Sequence, residues 1–274
     1  MRLRLLFGLT TLATVALGAA ACTDGSGHIR LALAGRAGAS SPVQAQAAGD
    51  SVVLALGNDT VIIRSVEMVL REVELKRAED ATGCTDSEET GGDDDECEEI
   101  ETGPMLVDVG LSGIEHVVTV DLPAGSFDEL EFKIHKPRND NADDQAFITA
   151  HPDFQAISIR VKGTFSAAGT RSDFTFTSDL DAEQEIELDP PLNVASDGSV
   201  NLTIRFDIAT WFLNAAHTAL VSPTTANAGG INESLVEQNI RASIRAFRDD
   251  DGDGEDDEHE GDDGDGGHSG PGIR

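Results

Sequence analysis

Apolar and polar side chains alternate along many short segments between positions 51 and 247. A period of two residues, with β-branched and aromatic residues on the apolar side, predicts strands that bury one face. Strands at regular intervals with turn residues between them indicate a sandwich or a barrel. We therefore expect an all-β fold, an antiparallel β-sandwich. The clearest segments are 117–122, 129–135, 157–163, 174–177, 186–188 and 202–208.

The segment 60–77 fits two patterns. Its apolar residues recur at spacings that also fit one face of a helix. Many of them are β-branched, however, and residues 73–76 alternate cleanly between apolar and charged. Because branched side chains favour extended backbone, we predict a strand here.

Near the C-terminus the spacing of apolar residues changes from two to three and four. This spacing predicts one C-terminal helix over residues 233–247, and Asn232 is suited to cap its first turn. The residues that form the expected buried face are Leu235, Val236, Asn239, Ile240, Ser243, Ile244 and Phe247.

These patterns predict one domain, residues 51–248, which is long enough to bury its own core. Residues 22–50 are expected to form a lipid tether and linker, because 35–49 consist mainly of Ala, Gly, Ser and Gln, although 28–34 have strand character. Residues 249–274 have too little apolar content to fold alone, and we expect a disordered acidic tail.

The N-terminus has the layout of a secretory signal peptide over residues 1–21. Arg2 and Arg4 precede an uncharged run that ends in small residues. That run contains several Gly and Thr residues and lacks flanking anchors, which favours cleavage over membrane spanning. The chain is therefore expected to be exported.

The end of this run, Ala19-Ala20-Ala21-Cys22, resembles a bacterial lipobox, in which the cysteine is acylated and becomes the mature N-terminus. Such sites prefer Leu three positions before the cysteine, where this chain has Ala19. An ordinary signal-peptidase site, with Cys22 left as a thiol, is the alternative. The short Gly- and Ser-containing segment after Cys22 is a suitable tether, so we predict lipidation of Cys22 and a membrane anchor on the bacterial cell envelope.

The chain has three cysteines, and lipidation of Cys22 leaves Cys84 and Cys97 as a pair. An exported protein meets an oxidising compartment, so we predict a disulfide between them. A closed loop of this size, about 14 residues, contributes about 3 kcal/mol in the chain-entropy model. Two reduced thiols remain the alternative, since the spacing fits no zinc pattern.

The formal net charge of −32 is concentrated in two segments. Residues 78–102 and 249–265 each contain 12 acidic residues and no Lys or Arg. Without them and the signal peptide, 27 acidic residues face 17 basic ones, an ordinary balance. Nucleic acid is not expected as a partner, because its phosphates require a basic surface. Divalent cations are the expected small partners.

The first acidic segment of the tail matches the calcium-loop pattern D-x-[DN]-x-[DN]-G-x5-E. A hard cation takes six to eight oxygen ligands, and alternating carboxylates with a glycine bend wrap the chain around it. A solvated acidic tail that matches by composition is the alternative. The predicted calcium ligands are Asp249, Asp251, Asp253, Glu255 through its carbonyl, Asp257 and Glu260.

Two stretches carry a resemblance. The turn Leu122-Pro123-Ala124-Gly125-Ser126-Phe127, and the strand at 200–208 with its Phe206-Asp207 pair, resemble a family of bacterial secreted lipoprotein domains of unknown function. The resemblance implies an immunoglobulin-like or transthyretin-like β-sandwich on the cell envelope, without known catalytic residues.

The residues therefore favour a non-catalytic envelope lipoprotein with a structural or binding role. No H-E-x-x-H or G-x-S-x-G motif occurs. One Trp and no Tyr argue against a carbohydrate platform, and Trp211 is expected in the core. An envelope hydrolase that uses core carboxylates is the alternative function. Neither a protein nor a glycan partner is specified by the sequence.

Overall fold

The computed structural model describes residues 26–36, 44–47, 51–78, 103–111, 114–196 and 198–254. Within these ranges the chain forms strands and two α-helices. The helices are α1 (Ala142–Ala150) and α2 (Glu233–Ala242). The strands are β1 (Ser26–Arg36), β2 (Gln44–Ala47), β3 (Val52–Leu56), β4 (Asp59–Arg77), β5 (Met105–Asp108), β6 (Ile114–Pro123), β7 (Gly125–Ile134), β8 (Ile159–Ala167), β9 (Thr170–Ser178), β10 (Ala182–Val194), β11 (Ser199–Asp207) and β12 (Ile244–Arg248).

The strands form two sheets. The smaller sheet has the order β12-β11-β1-β6, and the larger sheet has eight strands along the path β10-β7-β4-β3-β2, with β5, β8 and β9 attached beside it. Strand β4 organises the larger sheet because it is 19 residues long. Its first half pairs with β3 and β8, and its second half pairs with β7.

One hydrophobic core contains residues from both sheets. The smaller sheet contributes Leu31 and Ile204, and the larger sheet contributes Leu54 and Phe132, all fully or almost fully buried. The two sheets therefore pack against each other, an arrangement consistent with a β-sandwich. The prediction of an all-β fold is confirmed, and so is the strand predicted over 60–77, which is β4.

The expectation of a purely antiparallel arrangement was wrong at one position. Strands β1 and β11 pair in parallel, from His28 opposite Ser199 to Arg36 opposite Asp207. A parallel pair requires a long connection between its strands. Here most of the domain lies between them, so sequence periodicity contained no signal for this pairing.

The expected linker over residues 22–50 was wrong for its central part. Strand β1 lies inside the smaller sheet, between β11 and β6, and Ile29, Leu31 and Leu33 are buried. Gly35 also packs closely against the core, because a Cβ at this position would lie 2.3 Å from Ile208 Cδ1. The folded domain therefore begins before residue 51.

The expected helix over 233–247 was wrong in its last third. Helix α2 ends at Ala242, and residues from Ile244 onward form β12, which pairs with β11. The helix packs near Trp211, which is fully buried as expected and donates from Nε1 to Ser243 Oγ at 2.8 Å. Asn239 Nδ2 donates to the carbonyl oxygens of Trp211 and Leu213.

Helix α1 was not anticipated from the sequence. Asn141 caps it by accepting a hydrogen bond from the backbone N–H of Asp144 at 2.8 Å. Its Phe147 packs with Val69 and Phe154 in a small second cluster outside the main core. This placement brings the first turn of α1 against the end of β7.

Candidate functional site

The aspartate loop, residues 249–254, follows β12 directly and is folded against the smaller sheet. The backbone N–H of Asp249 donates to the carbonyl oxygen of Asn201 at 3.1 Å, which extends the contact between β12 and β11. Asp249 is 0% exposed. The expected disordered tail was therefore wrong for residues 249–254.

The Asp249 carboxylate organises the loop. It accepts hydrogen bonds from the hydroxyl of Thr203 at 2.7 Å and from the backbone N–H groups of Asp253 and Gly254, each at 3.0 Å. Because a buried carboxylate needs several donors, these contacts compensate for its removal from water. They also bend the chain back over Asp249.

Two glycines make this bend possible. Gly252 and Gly254 have φ angles of 72° and 81°, in the left-handed region that glycine adopts without strain. Gly254 occupies the position at which the calcium-loop pattern requires glycine for its sharp turn. The local geometry of the loop thus agrees with the sequence pattern at this position.

The structure brings three of the predicted ligands together. One carboxylate oxygen from each of Asp249, Asp251 and Asp253 lies within 4.8 Å of the others. Asp251 Oδ1 also accepts from the backbone N–H of Asp253 at 3.1 Å. Three carboxylates at this separation repel one another, and a divalent cation relieves that repulsion.

Asn201, on β11, was not anticipated from the sequence. Its Nδ2 donates to the carbonyl oxygen of Asp250 at 3.3 Å, and its Oδ1 is buried without a hydrogen-bond partner in the described structure. An amide oxygen is a ligand type that calcium accepts. Only the pairing of β11 with the segment after β12 places this residue beside the loop.

Asp250 has a different role from its neighbours. Arg248 binds its carboxylate with two hydrogen bonds, Nε to Oδ1 at 2.9 Å and Nη2 to Oδ2 at 2.6 Å. Both side chains are about half exposed. Asp250 occupies the second position of the pattern, where no ligand is required.

Glu255, Asp257 and Glu260 lie outside the described residues, and so do Cys22, Cys84 and Cys97. Lipidation and the disulfide stay predictions. The expected helix before the loop was wrong, since β12 occupies that position, so the loop is not flanked as in an EF-hand.

Two further acidic groups are created by tertiary structure. Glu131 on β7 converges with Glu183 and Glu185 on β10, and Asp179 converges with Glu233 and Glu237 at the start of α2. In the first group, the hydrogen bond and negative charge of Glu131 raise the pKa of the Glu183 carboxyl. The strand register that places these residues side by side could not be read from the sequence.

Two carboxylates away from the aspartate loop, the buried Asp144 and the half-buried Glu67, bear on the hydrolase alternative. Glu67 accepts two hydrogen bonds of 2.7 Å from Arg160, which lower the pKa of Glu67 despite the opposing effect of burial. Asp144 is fully buried against His135. Each carboxylate is thus engaged by a basic partner.

No family model, curated protein or solved structure matches the chain. The resemblance carried by residues 122–127 and 200–208 therefore stays a prediction. The structure places the turn at 122–127 between β6 and β7, which belong to different sheets. None of the helices in the described ranges has the length and apolar character needed to cross a membrane.

Proposed function

We propose that this protein is a non-catalytic lipoprotein of the bacterial cell envelope with a structural or binding role, and that its aspartate loop binds one calcium ion. The observation that supports calcium binding is the convergence of Asp249, Asp251 and Asp253 within 4.8 Å. The match of the flanking sequence to a complete twelve-residue calcium loop adds to it.

Hard oxygen donors in this number favour calcium over softer metals. Asp249, Asp251 and Asp253 supply three carboxylates, and Glu255, Asp257 and Glu260 supply the remaining ligands of the pattern. Asn201 Oδ1 is a further candidate because it is a buried oxygen that lacks a hydrogen-bond partner. A site on an extracellular module is expected to bind calcium with a dissociation constant of about 0.1–1 mM.

The ion would connect the acidic tail to the smaller sheet. Asp249 is held by Thr203 of β11 through a 2.7 Å hydrogen bond, so an ion on Asp249 is coupled to the core.

We infer a sandwich of immunoglobulin-like or transthyretin-like type, held at the membrane through a lipid on Cys22. This inference is supported by the two-sheet arrangement and by the lipobox-like sequence before Cys22.

Calcium is expected to raise the melting temperature of the full chain more than magnesium at the same concentration and physiological ionic strength. Calcium at 100 times its dissociation constant adds about 2.7 kcal/mol to the free energy of unfolding if it binds only the folded state. Magnesium demands stricter octahedral geometry and gives up its waters reluctantly. Thermal melts and calorimetric titration measure both effects.

The variant for this test is Asp251→Asn combined with Asp253→Asn, because both side chains are exposed and neither supports the core. We expect it to abolish the difference between calcium and magnesium. Asp250→Asn, in the same loop but outside the converging group, is the matched control and should retain the difference. Equal responses to the two cations in the unmodified protein would show that the loop attracts counterions without a specific site.

A further inference from the structure

A buried histidine and a buried aspartate meet where β7 ends. His135 is the first residue after β7, and Asp144 lies in the first turn of α1. Their side chains are 7% and 1% exposed, and His135 Nε2 lies 2.8 Å from Asp144 Oδ1. This distance is that of a strong hydrogen bond.

The surroundings of Asp144 determine which ring nitrogen of His135 carries a proton. Burial alone raises the pKa of the Asp144 carboxyl, but the backbone N–H of Arg138, the hydrogen bond and charge of His135 and the charge of Arg71 outweigh it and hold that pKa below its usual value. Asp144 is therefore an ionised acceptor. Nε2 of His135 must be the donor in this hydrogen bond, which leaves Nδ1 as the nitrogen that can gain or lose a proton.

Nδ1 of His135 lies 3.9 Å from Oδ1 of Asp181. Both atoms are buried, and neither has a hydrogen-bond partner in the described structure. The other oxygen of Asp181, Oδ2, accepts from Arg138 Nη2 at 2.7 Å. Two facing acceptors without a donor are unfavourable in a buried site, since unmet buried polar groups cost free energy.

These residues belong to two connections that run side by side. The basic connection, residues 135–141, joins β7 to α1, and the acidic connection, residues 179–181, joins β9 to β10. Lys136 of the basic connection pairs with Asp179 of the acidic connection. The other charged groups around His135 and Asp144 lie on β4 and β7: Arg71 Nη1 is 3.8 Å from Asp144 Oδ1, and Glu72 pairs with Arg71 and with Lys133.

We propose that His135 is a proton-operated latch: when Nδ1 carries a proton, it donates a hydrogen bond to Asp181 Oδ1 and ties the basic connection to the acidic connection. When Nδ1 is unprotonated, its lone pair faces a carboxylate oxygen, this contact is lost, and among the described residues the two connections are joined by the Lys136–Asp179 and Arg138–Asp181 pairs alone. Histidine is in general the side chain that changes charge near neutral pH, so a comparison of pH values on either side of neutrality tests the latch.

The latch is tested by hydrogen exchange of the full chain at about pH 8 and about pH 6, after correction for the intrinsic exchange rate. Protection of the amides in the acidic connection is expected to rise at the lower pH by about tenfold or more, the effect of gaining one hydrogen bond to a charged group. In Asp181→Asn, the new amide group donates to the neutral Nδ1. Protection in this variant should therefore depend less on pH than in the unmodified protein.

Asp179→Asn is the matched control, because it makes the same charge change two residues away and leaves His135 and Asp181 intact. It should retain the pH dependence of the unmodified protein. Protection that does not change between the two pH values in the unmodified protein would overturn the proposal, as would an Asp181→Asn variant with an undiminished pH dependence.

Discussion

At the scale of single residues, Gly163 shows how closely the strands of the larger sheet approach. It lies on β8, and a Cβ at this position would be 2.0 Å from the carbonyl oxygen of Ile62 and 2.9 Å from the ring of Phe174. Neither the backbone of β4 nor the packed ring has room to move away easily. Alternation along 157–163 placed Gly163 on the buried face but contained no information about this distance.

We expect Gly163→Ala to lower the free energy of unfolding by about 1–3 kcal/mol, because overpacking a close backbone contact forces a shift of β8 against β4. Urea denaturation measures the change. Gly103→Ala is the matched control, since nothing lies within 4 Å of its Cβ position, and it should stay within about 0.5 kcal/mol of the unmodified protein. Equal effects of the two substitutions would show that the approach of β4 and β8 is not as close as described.

The residues of the candidate calcium site fall into two groups, those visible in the sequence pattern and those found only in the structure. The pattern D-x-D-x-D-G was visible in the sequence, and the structure brings Asp249, Asp251 and Asp253 together. The hydrogen bond from Thr203 to Asp249 and the position of Asn201 were not visible, because both residues lie more than 40 positions earlier in the chain. Local spacing describes a loop, whereas its support depends on contacts between distant segments.

At the scale of elements, β12 explains why the helix prediction failed after Ala242. The apolar spacing of a helix continues past Ala242 to Ile244 and Phe247. Both residues are buried, but they lie in strand β12 and not in a helix. Strand β11 offers an open edge, and pairing with it satisfies backbone groups that a longer helix would have satisfied internally. Pairing with β11 therefore determines that residues 244–248 form a strand and not a continuation of α2.

Strand β1 is expected to contribute to the stability of the core. Leu31 is 3% exposed in the middle of the smaller sheet, and Arg30 beside it is exposed. Leu31→Ala is expected to lower the free energy of unfolding by about 2–5 kcal/mol, because it leaves a cavity between the sheets. Arg30→Ala should change it by less than about 0.5 kcal/mol. If urea denaturation finds both substitutions neutral, residues 26–36 act as a linker and do not belong to the core.

At the scale of the whole molecule, the chain combines one folded domain with two strongly acidic segments. The smaller sheet contains strands from near both ends of the described chain, β1 and β12, with β11 between them. An anchor at Cys22 would therefore lead within a few residues into the sheet that also supports the aspartate loop. The proposed lipid and the proposed ion would act on the same sheet.

Cys22→Ser is expected to release the protein from the membrane fraction and to remove the mass of the acyl chains from the mature protein. The reason is that the thiol of Cys22 is the attachment point of the lipid in the lipobox interpretation. Cell fractionation and intact mass spectrometry measure both changes. Cys84→Ser should keep the lipid and the membrane association. A Cys22→Ser protein that remains in the membrane with unchanged added mass would contradict lipidation.

The pattern of residues along the chain was sufficient to predict the all-β class, the strand at 60–77 and the D-x-D-x-D-G loop, because each depends on neighbours within a few positions. Period-two alternation states which face of a strand is buried, but not which strand lies beside it. The parallel pairing of β1 with β11, the change from α2 to β12, and the meeting of His135 with Asp181 were therefore decided by tertiary structure. The first two satisfy backbone groups with partners that are distant in the chain, and the third brings two side chains together from distant positions. Local spacing carries no information about such partners.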